Sequence, residues 1–303
     1  MRIPIKSVVP AALTPFGENN EIDFSEFCRH VKCLSAVDGV TAIMVNGAAG
    51  QDHTMPRKDK AQLLRESVEA VEGKTPIIAA VRESEFESDI SLLARDAEEA
   101  GAEAILVMPP YEDRDRTIKG AKTRFKKVFD NADLPVAFYQ VNPSISGYPL
   151  ETLVELVKHD RVFAVKEGCG DPVTSKKEMR AMRDIDPGLA IWSTHSRWLL
   201  ADLAMGADGL LSGMGSISAD LHVALCRAIW RSDLTEARNI SDVLFPLTQV
   251  FYGPGQNPHT RMKYALKKIG RLKNDYVRPP LEPLDTKERE RIDKILINHL
   301  SES

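Results

Sequence analysis

A lysine and a tyrosine end two apolar runs, a position that suits covalent chemistry. Lys166 follows the run 162–165, and Tyr139 ends the run 135–139. Burial of an ammonium beside apolar side chains is costly, so the pKa of such a lysine falls and its amine becomes neutral. A neutral amine attacks a ketone and forms an iminium, and a nearby tyrosine hydroxyl can move protons there. The alternatives are an ion pair between Lys166 and a carboxylate, for which Glu167 is the nearest candidate, and simple packing of Tyr139.

A third motif, GAAG at residues 47–50, has the composition of an anion-binding turn. Two small residues between glycines can direct successive backbone N–H groups toward a carboxylate without any charged side chain. The alternative is a tight turn with no ligand. Together with Lys166 and Tyr139, this motif predicts a pocket for a 2-oxo acid.

Short apolar runs alternate with amphipathic segments along the chain, and this alternation determines where the three features lie. The predicted strands cover residues 8–13, 41–45, 76–81, 104–108, 135–139, 162–166, 189–193 and 209–212. Eight strands that are each followed by a helix, without a GxGxxG phosphate motif after the first, favour a closed (β/α)8 TIM barrel over an open sheet. The fold class is therefore α/β, and we expect the barrel with its catalytic site to occupy residues 1–232.

Helix signals support the same organisation. Asp23 followed by Glu26 forms a capping box, and Pro56 suits the first turn of the helix that follows. A second capping box at Asp285 predicts a helix close to the carboxyl terminus. Residues 233–303 are expected to form a C-terminal helical region.

Active sites of such barrels lie at the carboxyl ends of the strands. The loops there add five candidates for substrate binding: Tyr111, His195, Ser196, Ser212 and Gly213. A histidine after the seventh strand could donate a hydrogen bond to a substrate hydroxyl and exchange protons near neutrality. The alternative for His195 is that it caps the helix that follows it.

Composition excludes several classes of partner. The 303 residues include 40 Lys and Arg against 44 Asp and Glu, so the net charge of -4 predicts neither a nucleic acid nor a membrane partner. Since no apolar run approaches the roughly 20 residues that span a bilayer and no signal-peptide core is present, we expect a cytoplasmic protein. The four cysteines form no CxxC pair and the seven histidines show no metal-ligand spacing, so no metal site is expected.

Seven motifs in order resemble the dihydrodipicolinate synthase and N-acetylneuraminate lyase superfamily over essentially the whole chain. They are TPF at 14–16, GAAG at 47–50, PPY at 109–111, FYQVNPS at 138–144, VKEG at 165–168, GADG at 206–209 and RPPLEPL at 278–284. The resemblance implies a (β/α)8 barrel with a C-terminal extension, a homotetramer built as a dimer of dimers, and class I Schiff-base chemistry on pyruvate or a related 2-oxo acid. It makes Lys166 the Schiff-base lysine, Tyr139 the proton-transfer residue, and the amides of Ala48 and Ala49 the carboxylate site. No metal or organic cofactor is needed for this chemistry.

The departures from that family concern the substrate. The GAAGQ loop lacks the hydroxyl side chains and final glutamate of a GTTGE pattern, so water or His195 would have to carry protons from Tyr139. Glu112 replaces a second tyrosine, and the stretch 139–147 lacks the arginine of dihydrodipicolinate synthase, which argues against lysine biosynthesis. His195 and Ser196 align with an acidic pair of N-acetylneuraminate lyase, which argues against that activity too.

The sequence therefore predicts an atypical Schiff-base lyase, an aldolase or dehydratase that acts on pyruvate or a 2-oxo acid such as a 2-keto-3-deoxy sugar acid. Three alternatives remain. They are a condensation like that of dihydrodipicolinate synthase, metal-dependent aldol chemistry, and a non-catalytic protein that binds 2-oxo acids.

Overall fold

The protein forms a barrel of eight parallel strands in a computed structural model that describes residues 2–255 and 257–300. Gln256 and residues 301–303, which belong to the predicted C-terminal region, lie outside the described residues. The strands are β1 Val8–Pro10, β2 Ile43–Val45, β3 Ile77–Val81, β4 Ala104–Val107, β5 Val136–Val141, β6 Val162–Gly168, β7 Ala190–Ser193 and β8 Gly209–Ser212. Their order around the sheet is β1-β8-β7-β6-β5-β4-β3-β2, and each hydrogen-bonded pair is parallel. The predicted (β/α)8 fold is confirmed.

The barrel closes between β1 and β2. Ala11 and Met44 form a parallel bridge, and the Ala12 N–H donates to the Met44 carbonyl at 2.9 Å. The Thr41 N–H adds a bond of 3.0 Å to the Val8 carbonyl. With both neighbours present for every strand, no long sheet edge is left to pair with another chain.

Each strand is followed by a helix, as the alternation of apolar runs predicts. The helices of the barrel are α1 Phe24–Ser35, α2 Arg57–Val71, α3 Ile90–Glu99, α4 Ile118–Phe129, α5 Leu150–Val157, α6 Pro172–Ile185, α7 Leu199–Met205 and α8 Gly215–Trp230. The Asp23 side chain accepts the Glu26 N–H at 2.9 Å, which confirms the predicted cap of α1. Pro56 directly precedes α2, as predicted.

Two strands run further than the sequence predicts. The apolar runs end at Tyr139 and Lys166, but β5 and β6 continue, and Gln140 pairs with Glu167 in register. These two polar side chains are buried on the outer face of the barrel, where hydrogen bonds satisfy them. Gln140 bonds to Tyr148 and Glu178, while the Glu167 carboxylate accepts from Ser175 and the Cys169 amide.

Three further helices follow the barrel: α9 Leu234–Phe251, α10 Pro258–Lys268 and α11 Thr286–Leu300. α9 packs against α8, and α10 contacts both of them. The Asp285 carboxylate accepts the Glu288 N–H at 2.8 Å, which confirms the helix start predicted there. Among the described helices, none is long and apolar enough to cross a membrane.

Candidate active site

Lys166 lies on β6 inside the barrel and is 6% exposed. Among the residues that the structure describes, no carboxylate lies within 4.0 Å of its amine, so the predicted alternative of an ion pair with Glu167 is not observed. Burial lowers the pKa of Lys166 to about 7, although the Asp52 carboxylate raises it and the Arg82 guanidinium lowers it further. A substantial fraction of the amine is therefore neutral at physiological pH.

Tyr139 lies opposite Lys166 because the two residues are partners in the β5–β6 register. The Lys166 Nζ lies 4.1 Å from the centroid of the Tyr139 ring. Burial raises the pKa of Tyr139, so its hydroxyl keeps its proton at neutral pH. Gly168 leaves room for this ring, since a Cβ at that position would lie 2.9 Å from Tyr139 Cε2 and 2.7 Å from Thr194 Cγ2.

The GAAG motif folds as a short 3₁₀ turn, Ala48–Gly50, directly after β2. Asn46 and Gln51 flank it with positive φ angles of 63° each. Inside the turn, the Gly50 N–H donates to Gly47 and the Gln51 N–H to Ala48. The Ala48 and Ala49 N–H groups donate to no residue that the structure describes, so two adjacent amides are available, and the anion site expected here stays a prediction.

Gln51 contacts a second buried lysine. The Lys263 Nζ donates to Gln51 Oε1 at 2.8 Å and to the Tyr276 carbonyl at 3.0 Å, and it lies 4.1 Å from the centroid of the Phe16 ring. Burial and the nearby Arg278 hold the pKa of Lys263 well below its ordinary value. Because both hydrogen-bond acceptors of this amine are uncharged, they do not offset the cost of a buried ammonium as a carboxylate would.

The predicted residues Ser196 and Ser212 lie together after β7 and β8, with their hydroxyl oxygens 2.8 Å apart. Tyr252, which directly follows α9, lies near this pair: burial raises the pKa of its hydroxyl, while Ser196, Ser212 and the Met214 backbone lower it. Tyr252 also contributes to the raised pKa of Tyr139, which places this hydroxyl cluster near the reactive pair. Sequence reasoning missed Tyr252, because nothing in the helical pattern of α9 shows that its last turn reaches the barrel mouth.

His195 lies on the same rim but faces other groups. Its ring stacks on Trp198, with centroids 4.7 Å apart and planes 8° apart, and its Nε2 has no partner among the described residues. The Asp202 carboxylate lies near this ring and accepts the Ser193 hydroxyl, and burial raises its pKa. The structure therefore leaves the predicted contact between His195 and substrate untested.

Tyr111 is 60% exposed and lies over an ion pair that sequence reasoning also missed. The Arg82 guanidinium lies 4.8 Å from the centroid of the Tyr111 ring and forms a bidentate pair with Asp52, at 2.7 and 2.8 Å. Arg82 directly follows β3, and Asp52 lies shortly after the GAAG turn. The Asp52 charge raises the pKa of Lys166, and the Arg82 charge lowers it. Beside it opens a cavity of about 840 Å³ whose lining includes His53, Tyr111, Glu83, Arg124 and Arg278.

His259 is the third residue that sequence reasoning missed. It is the second residue of α10, and its Nε2 lies 3.3 Å from the point where a Cβ on Gly213 would stand. The Ala49 methyl group lies 3.5 Å from the same point. The predicted residues Ala49 and Gly213 are thus brought together, and a side chain from the C-terminal helices lies against them.

Comparisons with known proteins extend over the whole chain. The model described as the dihydrodipicolinate synthetase family matches residues 4–299. A 4-hydroxy-tetrahydrodipicolinate synthase of Kineococcus radiotolerans is 31% identical over 287 residues, which cover 94% of this chain and 90% of the relative. A solved dihydrodipicolinate synthase from Bacillus anthracis has 26% identity and a TM-score of 0.86, and the match covers 97% of this chain and 98% of that one.

One solved structure bears on assembly. A monomeric dihydrodipicolinate synthase variant has 25% identity and a TM-score of 0.89, with coverage of 99% of this chain and 98% of the variant. The same fold therefore occurs without a tetramer, and the homotetramer inferred from the sequence stays a prediction.

Proposed function

Since the chain belongs to the dihydrodipicolinate synthetase family, we propose that it is a Schiff-base lyase for a 2-oxo acid, with Lys166 as the nucleophile. Membership supports pyruvate-dependent Schiff-base chemistry, by cleavage or by condensation. The observation that carries the proposal is the Lys166 amine, which lies 4.1 Å from the Tyr139 ring centroid inside the barrel and has a pKa of about 7. A 2-keto-3-deoxy sugar acid is the class of substrate that we favour.

The reaction begins when the neutral Lys166 amine adds to the C2 ketone. Proton transfers convert the carbinolamine to a cationic iminium and release water. In cleavage, the C4 hydroxyl loses its proton and the electrons of the C3–C4 bond flow to the iminium nitrogen, which gives an aldehyde and an enamine. The enamine takes a proton at C3, and water then releases pyruvate and the free amine. In dehydration, loss of a C3 proton and of the C4 hydroxyl gives water and an unsaturated iminium.

Two groups assist in this scheme. The Tyr139 hydroxyl, which is protonated at neutral pH, shuttles the protons that these steps need. The Ala48 and Ala49 amides hold the substrate carboxylate and so fix C2 against the amine. Fixed donors of this kind stabilise developing charge without reorganising, which lowers the barrier.

The loops after β4 and β5 support this choice of substrate class. In the first loop, Glu112 directly precedes the 3₁₀ helix Asp113–Arg116. In the second, the stretch 142–147 folds into a turn in which the Gly147 N–H donates to the Asn142 carbonyl at 3.1 Å. Arg116 donates to the Gly147 and Pro143 carbonyls, so its guanidinium holds this turn in place. The stretch 139–147 contains no cation of its own for the carboxylate of a second substrate.

We test the proposal with a panel of 2-keto-3-deoxy sugar acids, assayed for pyruvate release and for dehydration, beside pyruvate with aspartate semialdehyde. Turnover of a sugar acid and negligible condensation with aspartate semialdehyde are expected. Efficient condensation would make the chain a synthase like the relatives that carry that name. Trapping of pyruvate without turnover of any compound would favour a binding protein.

The rate of trapping by pyruvate and borohydride should rise with pH through about 7 and then level off, because only the neutral Lys166 amine attacks. In Asp52→Asn the midpoint should move to lower pH. The change removes a carboxylate that raises the pKa of Lys166 and leaves the Arg82 charge, which lowers it, without its partner. The control is Asp160→Asn, which removes a 93% exposed carboxylate near the start of β6, at the opposite end of the barrel. A midpoint that moves upward in Asp52→Asn contradicts this account of the pKa.

A further inference from the structure

The side chain of His259 lies beside Ala49 of the GAAG turn. Asn257 caps α10, and its side chain accepts the His259 backbone N–H at 2.8 Å, which fixes the backbone from which the imidazole extends. The Nε2 and Cδ2 atoms lie 3.3 and 3.5 Å from the point where a Cβ on Gly213 would stand, and the Ala49 methyl group lies 3.5 Å from it. One small volume is therefore bounded by the imidazole edge, Ala49 and Gly213.

That volume adjoins the reactive amine and the two unused amides. The charge of Lys166 acts on His259, so the imidazole and the amine lie in the same part of the barrel mouth. The His259 side chain is half-buried, and its ring nitrogens bond to no residue that the structure describes. The edge of an imidazole without a partner thus lies beside Ala49, whose amide is also unused.

The imidazole can donate a hydrogen bond without carrying a charge. Burial, Lys166 and Lys263 lower the pKa of His259 to about 4, so the ring is neutral at neutral pH. A neutral imidazole still carries one N–H, and a carboxylate beside it would favour the tautomer that donates. Ala48 and Ala49 provide no hydroxyl for this purpose.

We propose that the His259 Nε2–H donates a hydrogen bond to the carboxylate of the 2-oxo acid, beside the amides of Ala48 and Ala49. This inference rests on the proposed function, because it names a further binding residue of the same site. The C-terminal helices thereby supply a side-chain donor to a subsite whose other donors belong to the backbone.

The test compares His259→Phe, which removes the donor but keeps a ring, with His259→Gln, which keeps an amide N–H. Each variant is titrated with pyruvate and with methyl pyruvate, whose ester lacks the negative charge, and labelling of Lys166 after borohydride is quantified. In His259→Phe the half-saturating pyruvate concentration should rise about tenfold or more, the scale of one hydrogen bond to a charged group. The half-saturating concentration of methyl pyruvate should stay within about twofold of that of the unaltered protein. His259→Gln should recover part of the lost affinity for pyruvate. In both variants the maximal labelling of Lys166 should be unchanged.

His159→Phe serves as the control, because His159 stacks on Phe129 at the opposite end of the barrel. If both His259 variants bind pyruvate and methyl pyruvate more weakly by the same factor, the residue only shapes the pocket. If the half-saturating pyruvate concentration is unchanged, His259 does not belong to the subsite. Absence of Lys166 labelling in the unaltered protein would overturn the proposed function and this inference together. Loss of the circular dichroism spectrum in both variants would mark His259 as a structural residue and overturn the inference alone.

Discussion

Incubation of the protein with pyruvate and borohydride is expected to place a reduced adduct on Lys166, and Lys166→Ala should show neither labelling nor turnover. The turnover loss should be at least about a thousandfold, because the substitution removes the amine that forms the covalent electron sink. Peptide mapping by mass spectrometry locates the adduct. The expectation follows from an amine that is buried, lacks a carboxylate partner among the described residues, and has a pKa of about 7.

Two other lysines are buried among the described residues, so the test must show that the adduct forms on Lys166 and not on them. Burial lowers the pKa of both Lys60 and Lys263. Lys263 donates to Gln51 and Tyr276, and these two hydrogen bonds hold its amine in place. An adduct at either of these lysines, with Lys166 unmodified, would contradict the assignment.

Tyr139→Phe should lower turnover by roughly a hundredfold to ten-thousandfold, the range for one positioned acid–base group. The substitution keeps the ring beside the Lys166 amine and removes only the hydroxyl. The amount of pyruvate adduct trapped at completion should therefore be unchanged, while its rate of formation falls. Steady-state rates and single-turnover trapping separate the two effects.

Tyr148→Phe is the matched control, since Tyr148 is also a buried tyrosine but its hydroxyl contacts Arg124 on the outer side of the barrel. Turnover in that variant should stay within about threefold of the unaltered protein. If Tyr139→Phe lost less than about tenfold, another donor would have to carry the proton. Tyr252, whose pKa is affected by Ser196 and Ser212, would be the next residue to examine.

Local patterns were sufficient to predict the barrel. Runs such as IIAAV in β3 and AILV in β4 are buried along their whole length, which is why they stand out as parallel strands. Helix starts such as Asp23 depend on contacts three residues apart, so the sequence contains the whole signal. Lys166 and Tyr139 could be placed opposite each other because consecutive parallel strands bring equivalent ends to one edge of the barrel.

The residues that sequence reasoning missed depend on tertiary contacts. Asp52 and Arg82 are ordinary charged residues in sequence, and only the barrel pairs them beside Lys166. Tyr252 and His259 lie in a region predicted merely as helical, and the way α9 and α10 pack against α8 turns them toward the mouth. The sequence predicts the ends of β5 and β6 too early, because Gln140 and Glu167 are polar. Their burial depends on hydrogen bonds from distant parts of the chain.

The barrel mouth is completed by residues that are synthesised late in translation: Tyr252, His259 and Lys263. All eight strands leave the ribosome before these residues, since β8 ends at Ser212. Domains begin to fold from the amino terminus as the chain emerges, so strand pairing can precede completion of the mouth. At that stage water reaches the Lys166 amine more freely, and its pKa stays closer to the ordinary value. We therefore expect the Lys166 amine of the nascent barrel to be protonated for more of the time, and to become more neutral after the final helices have docked.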